Sequence, residues 1–252
     1  KAKWVNDLSR KRTPGPRSQY HHVNDDINGL STKAVHSGTY CDPLTGAVGT
    51  PIFQTTTFDF QAQTYEAFFQ GVTRDFPIYT RYGNPSQWSV QEKLAAIEGA
   101  ESAVVMSSGM AAIASTVMGL TNQGGHIITS YDIYGGSYNF FREDCVNTGR
   151  TVSFVDATDL NQIEKVICDN TQMMFFEGLS NPLLKDLDLV SICKLAKKHN
   201  ILVVIDNTFL TPYCFKPLDI GVDIVVHSAT KYLNGHSDLT AGAALGSRKF
   251  ID

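Results

Sequence analysis

The stretch ILVVIDNTFLTPYCFKPLDIGVDIVVHSATK, residues 201–231, decides the fold. It carries two apolar runs, Ile201–Ile205 and Ile224–Val226, and neither shows the polar–apolar alternation of a strand with one wet face. Short continuous runs bounded by turn residues read as strands buried on both sides, the condition of a mostly parallel sheet between helical layers. Each run stops at residues that do not suit a core. Asp206 ends the first, and His227-Ser228-Ala229-Thr230-Lys231 follows the second.

The same texture continues outward. "SAVVMSS" (102–108), "HIITS" (126–130), "TVSFVD" (151–156) and "MMFFEG" (173–178) are further apolar runs between turn residues. Helical patterns separate several of them: "PSQWSVQEKLAAIEGA" (85–100), with Trp88, Leu94 and Ile97 on one face and Gly99 as its stop, "GMAAIASTVMGL" (109–120) and "LVSICKLAKKHN" (189–200). Alternating strand and helix predicts an α/β domain over residues 86–252. Residues 31–85, rich in Thr, Gly and aromatics without clear period, read as an extended segment that wraps a neighbour. Residues 1–30 read as a polar basic arm, in which Lys1, Lys3, Arg10, Lys11, Arg12 and Arg17 face only Asp7 up to residue 20. That arm is open to a solvated reading or to partner contact or targeting, without the apolar core of a signal peptide. "AGAALGSRKFID" reads as a strand just leaving its turn; with Lys1 in place of a starting Met, the chain reads as a fragment.

Composition narrows the function classes. A formal net charge of -4 over 252 residues gives no footprint for nucleic acid. No run of about eighteen apolar residues exists to span a membrane. Cys41, Cys145, Cys168, Cys193 and Cys214 form no CxxC pair and are odd in number, so they read as reduced thiols, in the core or at the surface, in an intracellular, cytoplasmic setting. No metal-ligand spacing is present. His126 and His227 lie in apolar runs and read as satisfied core histidines; His236 reads as a brace for the loop around Lys231.

In open α/β sheets ligands bind beyond the carboxyl ends of the strands, so the residues after each run carry the chemistry. Ser107-Ser108-Gly109-Met110 opens a helix, and this is either a plain strand–helix turn or a phosphate cradle of free N–H groups at a positive dipole end. Asp206 is either a helix cap or the partner of a buried cation. Lys231 is either a snorkelling surface residue or a nucleophilic amine that forms a Schiff base. Taken together, a phosphate cradle, a strand-end carboxylate and a strand-end lysine match three parts of pyridoxal phosphate: its phosphate, its ring nitrogen and its aldehyde. Ser228 and Thr230 add hydroxyls beside the phosphate.

The motifs "YTRYGNPS" (79–86), "SSGMAA" (107–112), "YDIYGGS" (131–137), "VIDNTF" (204–209) and "HSATKYLNGHSD" (227–238) resemble the cystathionine γ-synthase/γ-lyase family of Cys/Met metabolism, from about His36 to the chain end. That resemblance implies a fold-type I, aspartate aminotransferase-like α/β architecture with a mostly parallel seven-stranded sheet flanked by helices. It also implies a further small C-terminal domain, absent here, that carries the arginine for the substrate carboxylate. The implied cofactor is pyridoxal 5'-phosphate, bound as a covalent aldimine with Lys231, which also moves protons between substrate carbons. Asp206 would pair with the pyridine nitrogen, Ser108, Gly109, Met110, Ser228 and Thr230 would hold the phosphate, and Asn181 would approach the ring oxygen. Tyr134 would stack on the ring and act as acid/base near the leaving group. Tyr79 and Arg81 would reach the phosphate of a neighbouring subunit's cofactor, which implies a homotetramer built from dimers with shared active sites.

The implied activity is γ-elimination or γ-replacement on a small sulfur-containing or O-acylated amino acid, as in cystathionine γ-lyase, methionine γ-lyase or cystathionine γ-synthase. The alternatives are O-acetylhomoserine sulfhydrylase-type or cystathionine β-lyase activity and, from another class, a non-catalytic scaffold or partner subunit. Three departures bear on this. Glu177-Gly178-Leu179-Ser180-Asn181-Pro182 replaces the family's "E-S/T-P-x-N-P" turn, Ser86 stands where Thr is common, and Asn139 stands where many γ-synthases and γ-lyases have Arg.

Overall fold

The computed structural model describes residues 29–42, 45–71 and 74–252, so the basic arm lies almost wholly outside the described residues. The chain divides into two compact units after Ile97.

The first unit contains helices α1 (Leu30–His36) and α2 (Ala62–Phe69) and most of α3 (Pro85–Glu98). Pro85 is well placed at the start of α3, where a missing N–H leaves no bond unmade. Asn84, just before it, donates through Nδ2 to Phe53 O at 2.9 Å and accepts Ser86 N–H at 2.8 Å. Ser86 Oγ in turn accepts Phe53 N–H at 2.9 Å. The Asn-Pro-Ser motif therefore ties an extended segment to a helix start, and Ser86 supplies the hydroxyl that this needs. Trp88, 1% exposed, packs with Tyr40 and Phe53. Gly83 is required beside it, because a Cβ there would meet the indole at 2.6 Å.

The second unit is a seven-stranded sheet: β1 (Ser102–Met106), β2 (His126–Ser130), β3 (Thr151–Val155), β4 (Thr171–Glu177), β5 (Leu202–Asp206), β6 (Ile224–His227) and β7 (Gly242–Gly246). Their order is β1-β7-β6-β5-β4-β2-β3, and only β7 runs antiparallel to its neighbours. Helices α4 (Gly109–Leu120), α5 (Gly135–Asn139), α6 (Leu160–Lys165), α7 (Leu189–Lys198), α8 (Thr211–Cys214) and α9 (Arg248–Ile251) lie between or after the strands. The helix of α5 runs on as a π-helical turn over Phe140–Cys145.

The continuous apolar runs follow from burial on both faces. Along β4, Met173 and Phe175 join one core with Ile113 and Val117 of α4, while Met174 and Phe176 join the other with Ile192 and Ala196 of α7. All four β4 side chains are fully buried, each contributing roughly 1.5–3 kcal/mol of apolar transfer free energy. Six of the predicted strands agree with the observed ones to within two residues at each end, and the mostly parallel α/β reading holds; in "AGAALGSRKFID" the strand stops at Gly246 and Arg248–Ile251 is helical. Helices α1 and α2 arise where the sequence shows no clear period; α2 buries only Thr64 and Ala67 and leaves Phe69 exposed.

His126 has both ring nitrogens partnered, to Thr171 Oγ1 at 2.8 Å and Ser153 Oγ at 2.9 Å, and burial lowers its pKa. His227 is only half satisfied. Its Nε2 meets Glu98 Oε2 at 2.8 Å, but among the described residues the buried Nδ1 has no partner, which departs from the expected satisfied histidine. His236 bonds to Asn234 O at 2.9 Å inside the turn that follows Lys231. The five cysteines are free, and burial pushes the thiols of Cys145 and Cys193 up to about 11.

Candidate active site

Six parallel strands end on the same side of the sheet, and five of the connections that leave them meet: 107–109 after β1, 131–134 after β2, 178–182 after β4, 207–210 after β5 and 228–231 after β6. Because these strands are parallel, their carboxyl ends gather there, and the connections enclose a cavity of about 340 Å³. Ser108, Gly109, Met110, Tyr134, Asn181, Asp206, Ser228, Thr230 and Lys231 all line it. Sequence separations of up to 123 residues are thus closed by the sheet alone.

The start of α4 forms one wall. Ser108 caps the helix, its Oγ accepting Ala111 N–H at 3.1 Å. The N–H groups of Gly109 and Met110 have no partner among the described residues and stand at the positive end of a twelve-residue helix. Gly109 is held close to Ser228: a Cβ at 109 would lie 2.6 Å from Ser228 Cβ and 2.8 Å from its Oγ. Among the described residues the Ser228 hydroxyl has no hydrogen-bond partner, so it joins the free N–H groups in one anion cradle. Thr230 behaves differently. Its hydroxyl donates to Ala241 O at 3.1 Å and accepts Ala241 N–H at 2.9 Å, clipping the lysine loop to the entry of β7.

Asp206 sits at the end of β5, open to the cavity and otherwise enclosed. Its Oδ1 accepts both the N–H of Thr208, at 3.0 Å, and the Thr208 hydroxyl. Burial raises its pKa, against the opposing pull of those two bonds. The Thr208 hydroxyl also accepts Ser228 N–H at 2.8 Å. One threonine therefore links the carboxylate on β5 to the cradle on β6, a role that the residue spacing does not reveal.

Tyr134 stands at the mouth, 51% exposed. Its ring lies over Gly136, where a Cβ would be 2.5 Å from the ring edge, so only glycine allows that placement. Lys231 lines the cavity and is exposed. The reason is local: residues 232–240 form an open turn held by Asn234 N–H to Ala229 O and Gly235 N–H to Lys231 O. Tyr79 and Arg81 belong to the first unit. There the Arg81 guanidinium lies 5.1 Å from the Tyr79 ring centre and 5.3 Å from that of Tyr82.

A second carboxylate, Glu177 at the end of β4, also faces the cavity, 6% exposed. In the sequence it figures only as the first residue of the 177–182 turn, because nothing in that neighbourhood shows that it will face the cavity. Among the described residues no cluster of His, Cys, Asp and Glu suits a metal ion, and no helix is long and apolar enough to cross a membrane.

Comparison with known proteins places these features in context. The family model described as Cys/Met metabolism PLP-dependent enzyme matches residues 31–251. L-methionine gamma-lyase of Treponema denticola is 38% identical over 226 residues, which is 89% of this chain and 56% of that protein. Cystathionine beta-lyase of Coxiella burnetii is 41% identical over 223 residues, 88% of this chain and 55% of that protein. Among solved structures, a putative O-acetylhomoserine (thiol)-lyase from Campylobacter jejuni, with N'-pyridoxyl-lysine-5'-monophosphate, superposes with a TM-score of 0.84 at 33% identity, over 88% of this chain and 55% of that one. The chain thus spans a little over half the length of the relatives it matches.

Proposed function

Because the chain belongs to the Cys/Met metabolism PLP-dependent enzymes, we propose that it is the cofactor-binding portion of a carbon–sulfur lyase or transsulfuration enzyme acting on a small sulfur-containing or O-acylated amino acid. One observation carries this reading: an anion cradle, a raised-pKa carboxyl and a lysine amine line a single cavity. Pyridoxal phosphate supplies, when bound, an electron-withdrawing ring that acidifies hydrogens on the substrate's carbons.

The residues fit that group. The N–H groups of Gly109 and Met110 and the Ser228 hydroxyl suit a phosphate, and the missing Cβ at 109 leaves room for the close approach of Ser228. Ser108 holds the first turn of the helix in place. Asp206 suits a protonated ring nitrogen, because a cation beside it offsets the burial that disfavours its ionised form. Thr208 orients that carboxyl by two hydrogen bonds. Asn181 would reach a ring oxygen, Lys231 Nζ would hold the aldehyde carbon, and Thr230 would fix the lysine loop, its hydroxyl being clipped to Ala241.

In the reaction, Lys231 Nζ would accept a proton from the substrate's α-carbon and return it further along the side chain. Tyr134 would cover the ring face and pass its hydroxyl proton to the departing group. Tyr79 and Arg81 would serve a neighbouring subunit, within a homotetramer assembled from dimers. The five free thiols support a reducing, cytoplasmic setting.

Relatives named for γ-lyase and β-lyase activities favour elimination over replacement. Supplying cystathionine, methionine and O-acetylhomoserine separately to the full-length protein tests this. Release of ammonia and a 2-oxo acid from one of them is expected; no turnover of any would favour the non-catalytic scaffold.

A further inference from the structure

We propose that Glu177 is a positioning residue that sets the placement of Tyr134 and Asn181 around the cavity through a carboxylate clamp on both backbones. This rests on the reading of the cavity as the pyridoxal phosphate site and deepens it. Glu177 Oε1 accepts Tyr134 N–H at 2.8 Å, and Oε2 accepts Asn181 N–H at 2.7 Å. The two residues belong to different connections, one after β2 and one after β4, and both of their side chains line the cavity. One buried carboxylate therefore fixes the spacing between a cavity-mouth aromatic ring and a cavity-wall amide. A Lys185–Asp132 ion pair of 2.6 Å joins the same two connections further out, so the loops already meet without Glu177 and the carboxylate serves their alignment.

The residue type is specific. An ionised carboxylate offers acceptors on both oxygens, whereas a glutamine would turn an NH₂ group toward one of the N–H donors and leave it unpaired. An aspartate is one methylene too short to span both. The ionisable groups around Glu177 are Asp206, its register partner on β5, with Tyr134 and Lys231 lining the same cavity and His227 beyond Asp206. Burial first, and then the neighbouring Asp206, push its pKa up to about 7, against the two N–H bonds that hold it down. The clamp is thus complete above neutral pH. Below it, the protonated carboxyl resembles a glutamine amide, with one oxygen turned from acceptor to donor.

That equivalence gives the test. Pyridoxal phosphate is titrated into the apoprotein and into Glu177→Gln from pH 5.5 to 8.5, with uptake followed by fluorescence quenching and borohydride-trapped mass. We expect Glu177→Gln to bind roughly tenfold more weakly at pH 8.5, the loss of about one hydrogen bond. The gap should close below about pH 6, where the wild type has become protonated. Glu177→Asp, which keeps the charge but not the reach, should stay weaker at every pH. A gap that does not change with pH, or no gap, overturns the clamp. If the wild type itself takes up no pyridoxal phosphate, the reading of the cavity fails instead, and that outcome is distinct. Thermal melts of all three proteins guard against a folding defect, and an intact fold is expected because the lost bond is offset by removal of a buried charge.

Discussion

Gly109→Ala is the sharpest probe of the cradle. The new methyl would lie 2.6 Å from Ser228 Cβ, 2.8 Å from its Oγ and 2.9 Å from its Cα. Two of the three clashes are with the carbon skeleton of a strand-end residue that no rotamer change can remove. An ordinary carbon–carbon contact of about 3.5 Å requires the helix start and Ser228 to separate by about 0.9 Å. A 2.9 Å hydrogen bond stretched by that amount is no longer one. If a phosphate is held by N–H groups on one side and the Ser228 hydroxyl on the other, it must release at least one side. Charge-assisted bonds contribute about 1.5–3 kcal/mol each, so the loss of one or two predicts roughly 100-fold weaker binding. Stability should change much less. Overpacking costs about 1–3 kcal/mol, while alanine improves helix propensity by up to about 1 kcal/mol. Gly119→Ala is the control within α4, since its Cβ meets nothing within 4 Å; it should hold or raise Tm and leave affinity unchanged. Equilibrium titration with pyridoxal phosphate and a thermal melt read both effects. Wild-type affinity in Gly109→Ala would refute the cradle.

Two further outcomes follow from buried polar groups. Among the described residues the buried Asn207 Oδ1 has no partner, and a Cβ built at Gly178 would stand 3.2 Å from it, so Gly178→Ser should place a donor there. A satisfied acceptor recovers about 1 kcal/mol and raises Tm by about 2–4 °C; a fall in Tm would show that Asn207 cannot yield the few tenths of an ångström required. For Asp206, a pKa raised above the ordinary 3.8 means its folded-state contribution is full below that value and is lost as pH rises through the folded pKa. Asp206→Asn should therefore stabilise the cofactor-free chain to urea at pH 7.5 but not at pH 3.5, and weaken pyridoxal phosphate binding at pH 7.5. Equal effects on stability at both pH values would contradict the burial argument.

The sheet was legible because burial on both faces writes itself as continuous apolar runs, and β2 was read to the residue at His126–Ser130. The cavity residues were legible where they follow those runs directly, as Asp206 and Lys231 do. What stayed hidden depends on contacts between distant connections. Thr208 joins β5 to β6, Glu177 joins the β2 and β4 connections, and Gly136 seats Tyr134, yet each looks ordinary in its own neighbourhood. Helix α2 was hidden for another reason, since its aromatic residues are largely exposed and leave no buried stripe to count. Lys231 was left open between a surface residue and a site residue, and the open turn after it exposes it to solvent while it lines the cavity.

The most direct measurement is covalent trapping. The protein is incubated with pyridoxal phosphate, reduced with borohydride and digested, and the peptides are mapped by mass spectrometry. The account predicts one stoichiometric pyridoxyl adduct, on Lys231, and none in Lys231→Ala. An adduct on another lysine, or an unchanged yield in Lys231→Ala, would contradict it.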